Sequence, residues 1–377
     1  LVIAVGLLFI GAGAKPEWPA RIVWVDTAGG ANFQEFHAVW TVPTANKELP
    51  FITDYVVGKG VEMVEKMKAW EPGEGDVHVI LFKPDGFVLA LKEGIPLETL
   101  VYFTGVPETP VAPRAGIPNA VKIPLADLQM VLGVPTEGKG LQFWRDQFGF
   151  IYNKKFIEDP PTSFKELFER RHEWCGHIGV IRMDAKSGGG RIFMYDFLRA
   201  FGVDWTKTFD EILGSPEWEE AIAKWKEFSK CFFKPLAAEP PYLFEQFLKE
   251  DIWITEYAID YTLWSRDRGK LPATIAASYA EEGIYGGNTL LVVPTYIPEE
   301  YKPAAYEFVN WLLSDYVQST MFKTMYQYPG TEVWDIADRE YFWIWDHVPR
   351  MEDLVRKVLE NFPGFAWIKE HGMGMIE

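Results

Sequence analysis

The residues best placed to do chemistry sit in short loops. Ser187-Gly188-Gly189-Gly190 precedes a segment of helical periodicity, residues 192–201. Such a loop can cradle an anion on its backbone N–H groups, helped by the helix dipole. The same four residues serve equally as a flexible turn. Glu256 and Asp260 are four apart. On one helix they would share a face and hold a cation; if a strand ends between them, Asp260 becomes a helix N-cap and the pair dissolves. The cap is the preferred reading. Trp144 offers an aromatic wall for an amine, although in a chain with 16 tryptophans core packing is the default for any one. His172-Glu173-Trp174-Cys175-Gly176-His177 has metal-ligand residue types. Its two histidines are five apart, so on a helix they point about 140° from each other and do not converge. No nucleophile elbow, P-loop or GxGxxG fingerprint is present. The expectation is no catalytic residues, no cofactor and no metal site.

These loops need scaffolding, and the pattern supplies it. Residues 21–26 (RIVWVD) read as a buried strand, 27–32 as a glycine-bearing turn and 33–40 as a short helix. Residues 51–57 and 76–82 read as further strands. Residues 60–70 read as a helix with Val61, Val64, Met67 and Lys68 near one face, and 87–92 as another. Repeated strand–helix units imply a mostly parallel sheet flanked by helices. Residues 93–140 are Pro- and Gly-rich, with a short helix at 123–132.

Further on, 148–152 (FGFIY) is a buried-strand run. Pro160-Pro161 forces an extended turn, and Ser163 stands three residues before Glu166, a capping-box spacing ahead of a helix over 164–171. Strands are expected at 177–183, 251–259 and 273–278, and helices at 192–201, 205–213, 218–233, 244–249, 261–268 and 299–313. Two aromatic-rich helices are expected at 334–345 and 351–362.

Composition narrows the class of partner. The 377 residues suffice for two lobes, and the net charge of −17 argues against a nucleic-acid partner. Frequent proline and scarce amide side chains lean towards a thermophilic source. Residues 1–14 (LVIAVGLLFIGAGA) form an apolar run too short for an ordinary membrane span. They read as the hydrophobic and cleavage regions of an export signal, or as a contact for membrane association or self-assembly. Cys175 and Cys231 are the only cysteines. They are either one disulfide, which secretion allows, or two buried thiols.

The order of these features resembles the extracellular solute-binding proteins of ABC importers. The run QFWRDQFGFIYNKKFIEDPPTSFKELFE (142–169) is similar to the segment where such chains first cross between lobes. KLPATIAASYAEEGIYGGNTLLVVPTYIPEEYKPAAYEFVNWLLSDYVQ (270–318) resembles their return strand and following helix, ending in Asn310-Trp311-Leu312-Leu313-Ser314 before Gln318. The likeness is greatest to the iron, thiamine and polyamine cluster. No adjacent-tyrosine motif carries over a ferric site.

The resemblance implies an α/β, two-lobe periplasmic-binding-protein-like fold: each lobe a mostly parallel sheet flanked by helices, joined by a hinge of crossing strands. Residues 15–143 and 284–330 would form the first lobe, 144–283 the second, and 331–377 C-terminal helices packing on them. The implied partners are a small-molecule solute and an ABC permease, outside the cell. The acidic balance admits a cationic solute. Expected ligand positions are Asp26, Thr27, Gly29, Gly30, Asn32, Lys83 and Asp85 in the first lobe. Trp144, Gln147 and Phe148 follow at the crossing. The second lobe supplies Ser187, Gly188, Gly189, Arg191, Glu256, Tyr257, Asp260 and Trp264, and the return strand Tyr285 and Asn288. The alternative is a binding-protein-like subunit of a surface assembly held through residues 1–14.

Overall fold

Strand β1 (Arg21–Asp26) shows how one lobe is built. Its side chains alternate between faces: Ile22 and Trp24 join one apolar cluster, while Val25 joins another. Strand β2 (Ile52–Val57) pairs parallel with one edge of β1, and β3 (Val79–Phe82) with the other. In β3, Val79 and Leu81 share the first cluster and Ile80 and Phe82 the second. Both faces of this sheet are therefore covered, as parallel sheets require. The computed structural model describes residues 17–131, 134–278, 280–282, 286–333 and 362–376. The apolar residues 1–14, Tyr285, the helix expected at 334–345 and nearly all of that at 351–362 lie outside the described residues.

The chain crosses between lobes on β4 (Leu141–Asn153), 13 residues long. Two-residue β5 (Ile178–Gly179) is followed by β6 (Ile254–Ala258), β7 (Ile275–Ser278), β8 (Gly286–Val292) and β9 (Tyr328–Pro329). The first half of β4 pairs with β8 and β9, its second half with β6 and β7, in every case antiparallel. Among the described strands, β1–β2, β1–β3 and β5–β6 pair in the expected parallel sense, whereas the crossing does not. A strand that leaves a lobe and one that returns run in opposite directions, which makes the junction antiparallel. Gly149 sits where β7 closes on β4; a Cβ there would collide with the carbonyl oxygen of Ser278.

Helices cover the sheet. In the first lobe α1 (Ala31–Phe36) continues through a π-helical turn, His37–Thr41, into α2 (Val42–Glu48). That run is longer than the expected 33–40. Helix α3 (Gly60–Lys68) buries Met63, Val64 and Met67. Val61 is 62% exposed, a rotation of the expected face, because the inward stripe takes the 63/64/67 spacing. Helix α4 is Pro84–Lys92. The second lobe holds α5 (Phe164–Glu169), α6 (Gly189–Ala200), α7 (Pro216–Ser229), α8 (Pro240–Leu248) and α9 (Ile259–Asp267). Ser163 caps α5, its side chain accepting from the Glu166 N–H at 3.0 Å, while the Glu166 carboxylate reaches the Thr162 N–H. The helix expected at 205–213 is confined to Phe209–Leu213, since Trp205 stacks on Tyr195 from the preceding turn. Helices α10 (Lys302–Leu312) and α11 (Asp315–Met325) return to the first lobe. Helix α12 (Phe362–His371) packs on the second lobe, with Trp367 5.0 Å from the Trp218 ring. Among the described residues no helix is long and apolar enough to cross a membrane.

The two cysteines are paired: Cys175 and Cys231 form a disulfide with their Cα atoms 4.2 Å apart. It ties the end of α7 to the turn before β5. In the loop-closure account a link of this span contributes about 4 kcal/mol.

Beside β1, His37 is fully buried, and its imidazole contacts the Thr41 hydroxyl at 3.0 Å. Burial lowers its pKa to about 4, against a smaller opposing pull from Asp26. His78 is lowered to about 4 in the same way. A depressed histidine pKa makes the folded state most stable above pH 6.5. As pH falls towards 4 the unfolded chain takes up protons that the folded chain refuses. Urea midpoints should therefore drop between pH 7 and pH 4.5. In His37→Gln that loss should shrink by about 2 kcal/mol; an unchanged pH dependence would show that His37 is not held neutral.

Candidate functional site

A cleft of about 340 Å³ opens where the two lobes meet, a size suited to a small molecule. Five helices begin at its wall. Gly30 and Ala31 start α1, Lys83, Pro84 and Asp85 start α4, and Gly188 and Gly189 start α6. Glu239, Pro240 and Pro241 start α8, and Ala258, Asp260 and Tyr261 start α9. This follows from the topology: in open α/β sheets the loops beyond the carboxyl ends of strands lead into helix N-termini. Aromatic rings fill the space between, with Phe148 5.7 Å from Tyr257 and Tyr257 6.4 Å from Tyr261.

Of the expected positions, Gly30, Asn32, Lys83, Asp85, Phe148, Ser187, Gly188, Gly189, Arg191, Tyr257 and Asp260 line the cleft. Others lie behind it. The Asp26 carboxylate is buried and accepts from the N–H groups of Ala28 and Gly29 at 2.8 and 2.7 Å and from the Tyr55 hydroxyl at 2.8 Å. It shapes the loop rather than facing the cavity. Thr27 donates to the Leu81 carbonyl, pinning that loop to β3. Trp144 is 1% exposed and stacked at 4.0 Å on Phe33, which is itself a cleft residue. It supports the wall from one ring behind. Trp264 is buried, with the Arg268 and Lys270 cations over its rings at 4.3 and 4.4 Å. The backbones of Gln147 and Asn288 lie in β4 and β8, pairing with Gly286 and Arg145. Their side chains, like all of Tyr285, are outside the described residues.

Asp260 corrects the preferred cap assignment. The N-cap of α9 is Ala258, and Asp260 falls in the first helical turn. From there its carboxylate accepts from Asn32 Nδ2 at 3.1 Å, a hydrogen bond joining α1 of one lobe to α9 of the other. Nearby, Arg268 meets Glu35 at 2.8 Å and Tyr326 donates to Asp267. Contacts of both polarities thus bridge the lobes beside the cleft.

The glycine-rich loop is held from beneath. Arg191 donates to the carbonyls of Met183 and Ala185 at 2.9 and 2.8 Å. Glu239 accepts from the N–H groups of Lys186 and Ser187 at 2.9 and 3.3 Å. Gly190 touches the Ile181 carbonyl so closely that a Cβ would collide with it. Glu239, Pro240 and Pro241 were not foreseen, nor were Phe33, Lys186 or Tyr261. The signal for the first three was in the sequence: an acid followed by two prolines starts a helix, earlier than the expected 244.

Glu256 faces away from the cleft. It is 2% exposed, near the Asp196–Arg199 ion pair of α6, whose atoms are 3.0 Å apart. Burial first, then Asp196, push its carboxyl well above the usual carboxylate range, towards its neutral form. The pairing of Glu256 with Asp260 does not form, because β6 ends between them. In the 172–177 segment His177 stacks at 3.7 Å on Trp253. Among the described residues no group of three or more His, Cys, Asp or Glu side chains could hold a metal ion. Glu256→Gln should leave the urea midpoint within about 1 kcal/mol of the parent, since it keeps a neutral group of the same shape. Arg199→Met should cost about 3 kcal/mol by stranding buried Asp196. Equal losses would contradict a Glu256 carboxyl pushed towards its neutral form.

Comparison with known proteins agrees with this architecture. The spermidine/putrescine ABC transporter substrate-binding protein PotD from Streptococcus pneumoniae superposes with a TM-score of 0.69 at 12% identity, covering 95% of this chain and 100% of that one. An ABC transporter structure from Clostridium perfringens gives 0.66 at 16% identity, covering 94% and 98%. The Trichodesmium protein in complex with iron and citrate gives 0.58 at 16% identity, covering 94% and 97%. At such identities these likenesses establish the two-lobe periplasmic-binding-protein-type fold. No curated protein matches the chain. A family model described as bacterial extracellular solute-binding protein matches residues 62–335, more than half of the sequence. The chain belongs to the bacterial extracellular solute-binding proteins.

Proposed function

We propose that this receptor captures a small organic solute by closing its lobes on the cleft, then presents it to an ABC permease. In this reading residues 15–143 with 284–330 form one lobe, 144–283 the other, and 331–377 pack on them. The observation that carries it is the cleft itself: about 340 Å³, lined from both lobes and bridged by the Asn32–Asp260 hydrogen bond. Polar contacts made only in a closed arrangement shift the open–closed population, and a solute that touches both walls shifts it further. The fold alone does not select the solute, since similar structures carry names as different as a spermidine/putrescine protein and an iron–citrate complex.

Native mass spectrometry of the purified protein, followed by denaturing release, tests this directly. A discrete small molecule leaving a 43.2 kDa chain is the expected result. An empty chain that shows no compaction in solution scattering with any low-molecular-weight extract would overturn it. Asn32→Ala removes a hydrogen bond to a buried carboxylate. It should weaken solute binding by about tenfold or more, mainly through faster dissociation.

A further inference from the structure

The lining of the cleft says which charge the solute carries. Across the whole chain 54 acidic residues outnumber 37 basic ones. The cleft departs from that balance: Lys83, Lys186 and Arg191 face Asp85, Glu239 and Asp260. Each of those carboxylates already accepts from a donor of the protein. Asp85 takes the Gly86 N–H at 3.0 Å, Asp260 takes Asn32, and Glu239 takes two loop N–H groups. The ammonium groups of Lys83 and Lys186 make no ion pair among the described residues, and they come from opposite lobes. The hydroxyl oxygen of Ser187 is sealed from solvent with no hydrogen-bond partner among the described residues. Four helices of nine or more residues, α4, α6, α8 and α9, direct their N-termini here, and the positive end of each dipole opposes a bound cation.

Resting on the receptor reading, we propose that the solute bears an anionic group, a carboxylate or phosphoryl, held at Ser187 and the start of α6 between Lys83 and Lys186. Its organic body lies against Tyr257 and Phe148. Closure brings one lysine from each lobe onto the same charge, so the anion contributes to drawing the lobes together. The whole-chain acidity, which admitted a cationic solute, acts at the outer surface, whereas the local groups decide what enters.

The test uses full-length protein refolded from denaturant to remove bound solute. It is titrated calorimetrically at fixed ionic strength with inorganic phosphate, glycerol 3-phosphate, glutarate, 4-aminobutyrate and putrescine. Binding of at least one acid-bearing probe, and none of putrescine, is expected. A phosphate-only or carboxylate-only response tells the two anion chemistries apart. The Lys83→Gln/Lys186→Gln double variant, altered at exposed positions, should melt like the parent and bind that probe at least about tenfold more weakly. Ser187→Ala should weaken it by a smaller factor. Three results overturn the assignment: no acid probe binds, putrescine alone binds, or the double variant binds the acid unchanged. A discrete molecule without an acidic group, released from the protein as purified, would also overturn it while leaving the receptor reading intact.

Discussion

The backbone pairing of a single strand, β4, is the constraint on which the rest of this structure depends. Every buried N–H and C=O must find a partner, and thirteen consecutive residues here find theirs in two lobes. The first half is satisfied by β8 and β9, the second by β6 and β7. Neither lobe has a complete sheet without it. The same strand fixes where the cleft lies, because Phe148, one residue past its midpoint, is both a ladder residue and part of the wall. Close contact at this junction leaves no room for a side chain on Gly149.

From that junction the polarity of the site follows. Parallel strands put their loops at one end, and each loop leads into a helix whose first N–H groups lack partners within the helix. With two lobes face to face, the N-termini of α1, α4, α6, α8 and α9 meet across one cavity. The site is thus polar through its backbone as much as its side chains. Proline and glycine are its natural residues: proline at the starts of α4 and α8, glycine at the start of α6. The side chains that point elsewhere keep the loops in place. Asp26 holds the turn after β1, Glu239 and Arg191 hold the glycine-rich loop from two directions, and Trp144 backs Phe33.

Several buried charges here are matched by a counter-charge, while the buried carboxylates of Asp26 and Asp260 are held by neutral donors. Asp196 pairs with Arg199, Asp127 with Arg145, and Glu98 with both Arg114 and Lys302. Burial pushes Glu256 and His37 towards their neutral forms. Two kinds of acid therefore lie within a few residues of each other on β6 and α9. Glu256 is an internal group behind the cleft whose carboxyl burial pushes towards its neutral form, while Asp260 accepts a hydrogen bond across it. The alternation of a strand puts Glu256 and Tyr257 on opposite faces, so one step in sequence separates a core residue from a ligand-facing one.

The sequence by itself determined the α/β class, the βα order of the first lobe, the crossing at β4 with the capped α5 behind it, and the glycine-bearing loops. These are local properties: alternation, caps, proline and glycine act within a few residues. It also placed Asn32, Lys83, Asp85, Phe148, Ser187, Arg191 and Tyr257 on loops or strand ends, and they line the cleft. Tertiary structure alone decided which loop residues turn inward. Asp26 and Thr27 have the right types and position, yet their side chains are taken by the backbone of their own loop and of β3. Only the docking of two lobes brings Asn32 to Asp260, 228 residues away, and only the packing within the second lobe sets Cys175 against Cys231. Such long-range pairings leave no local pattern, because they are fixed by how the sheets and helices pack. The charge preference proposed for the cleft belongs to the same class: it comes from summing groups on four separate loops, which composition averages away.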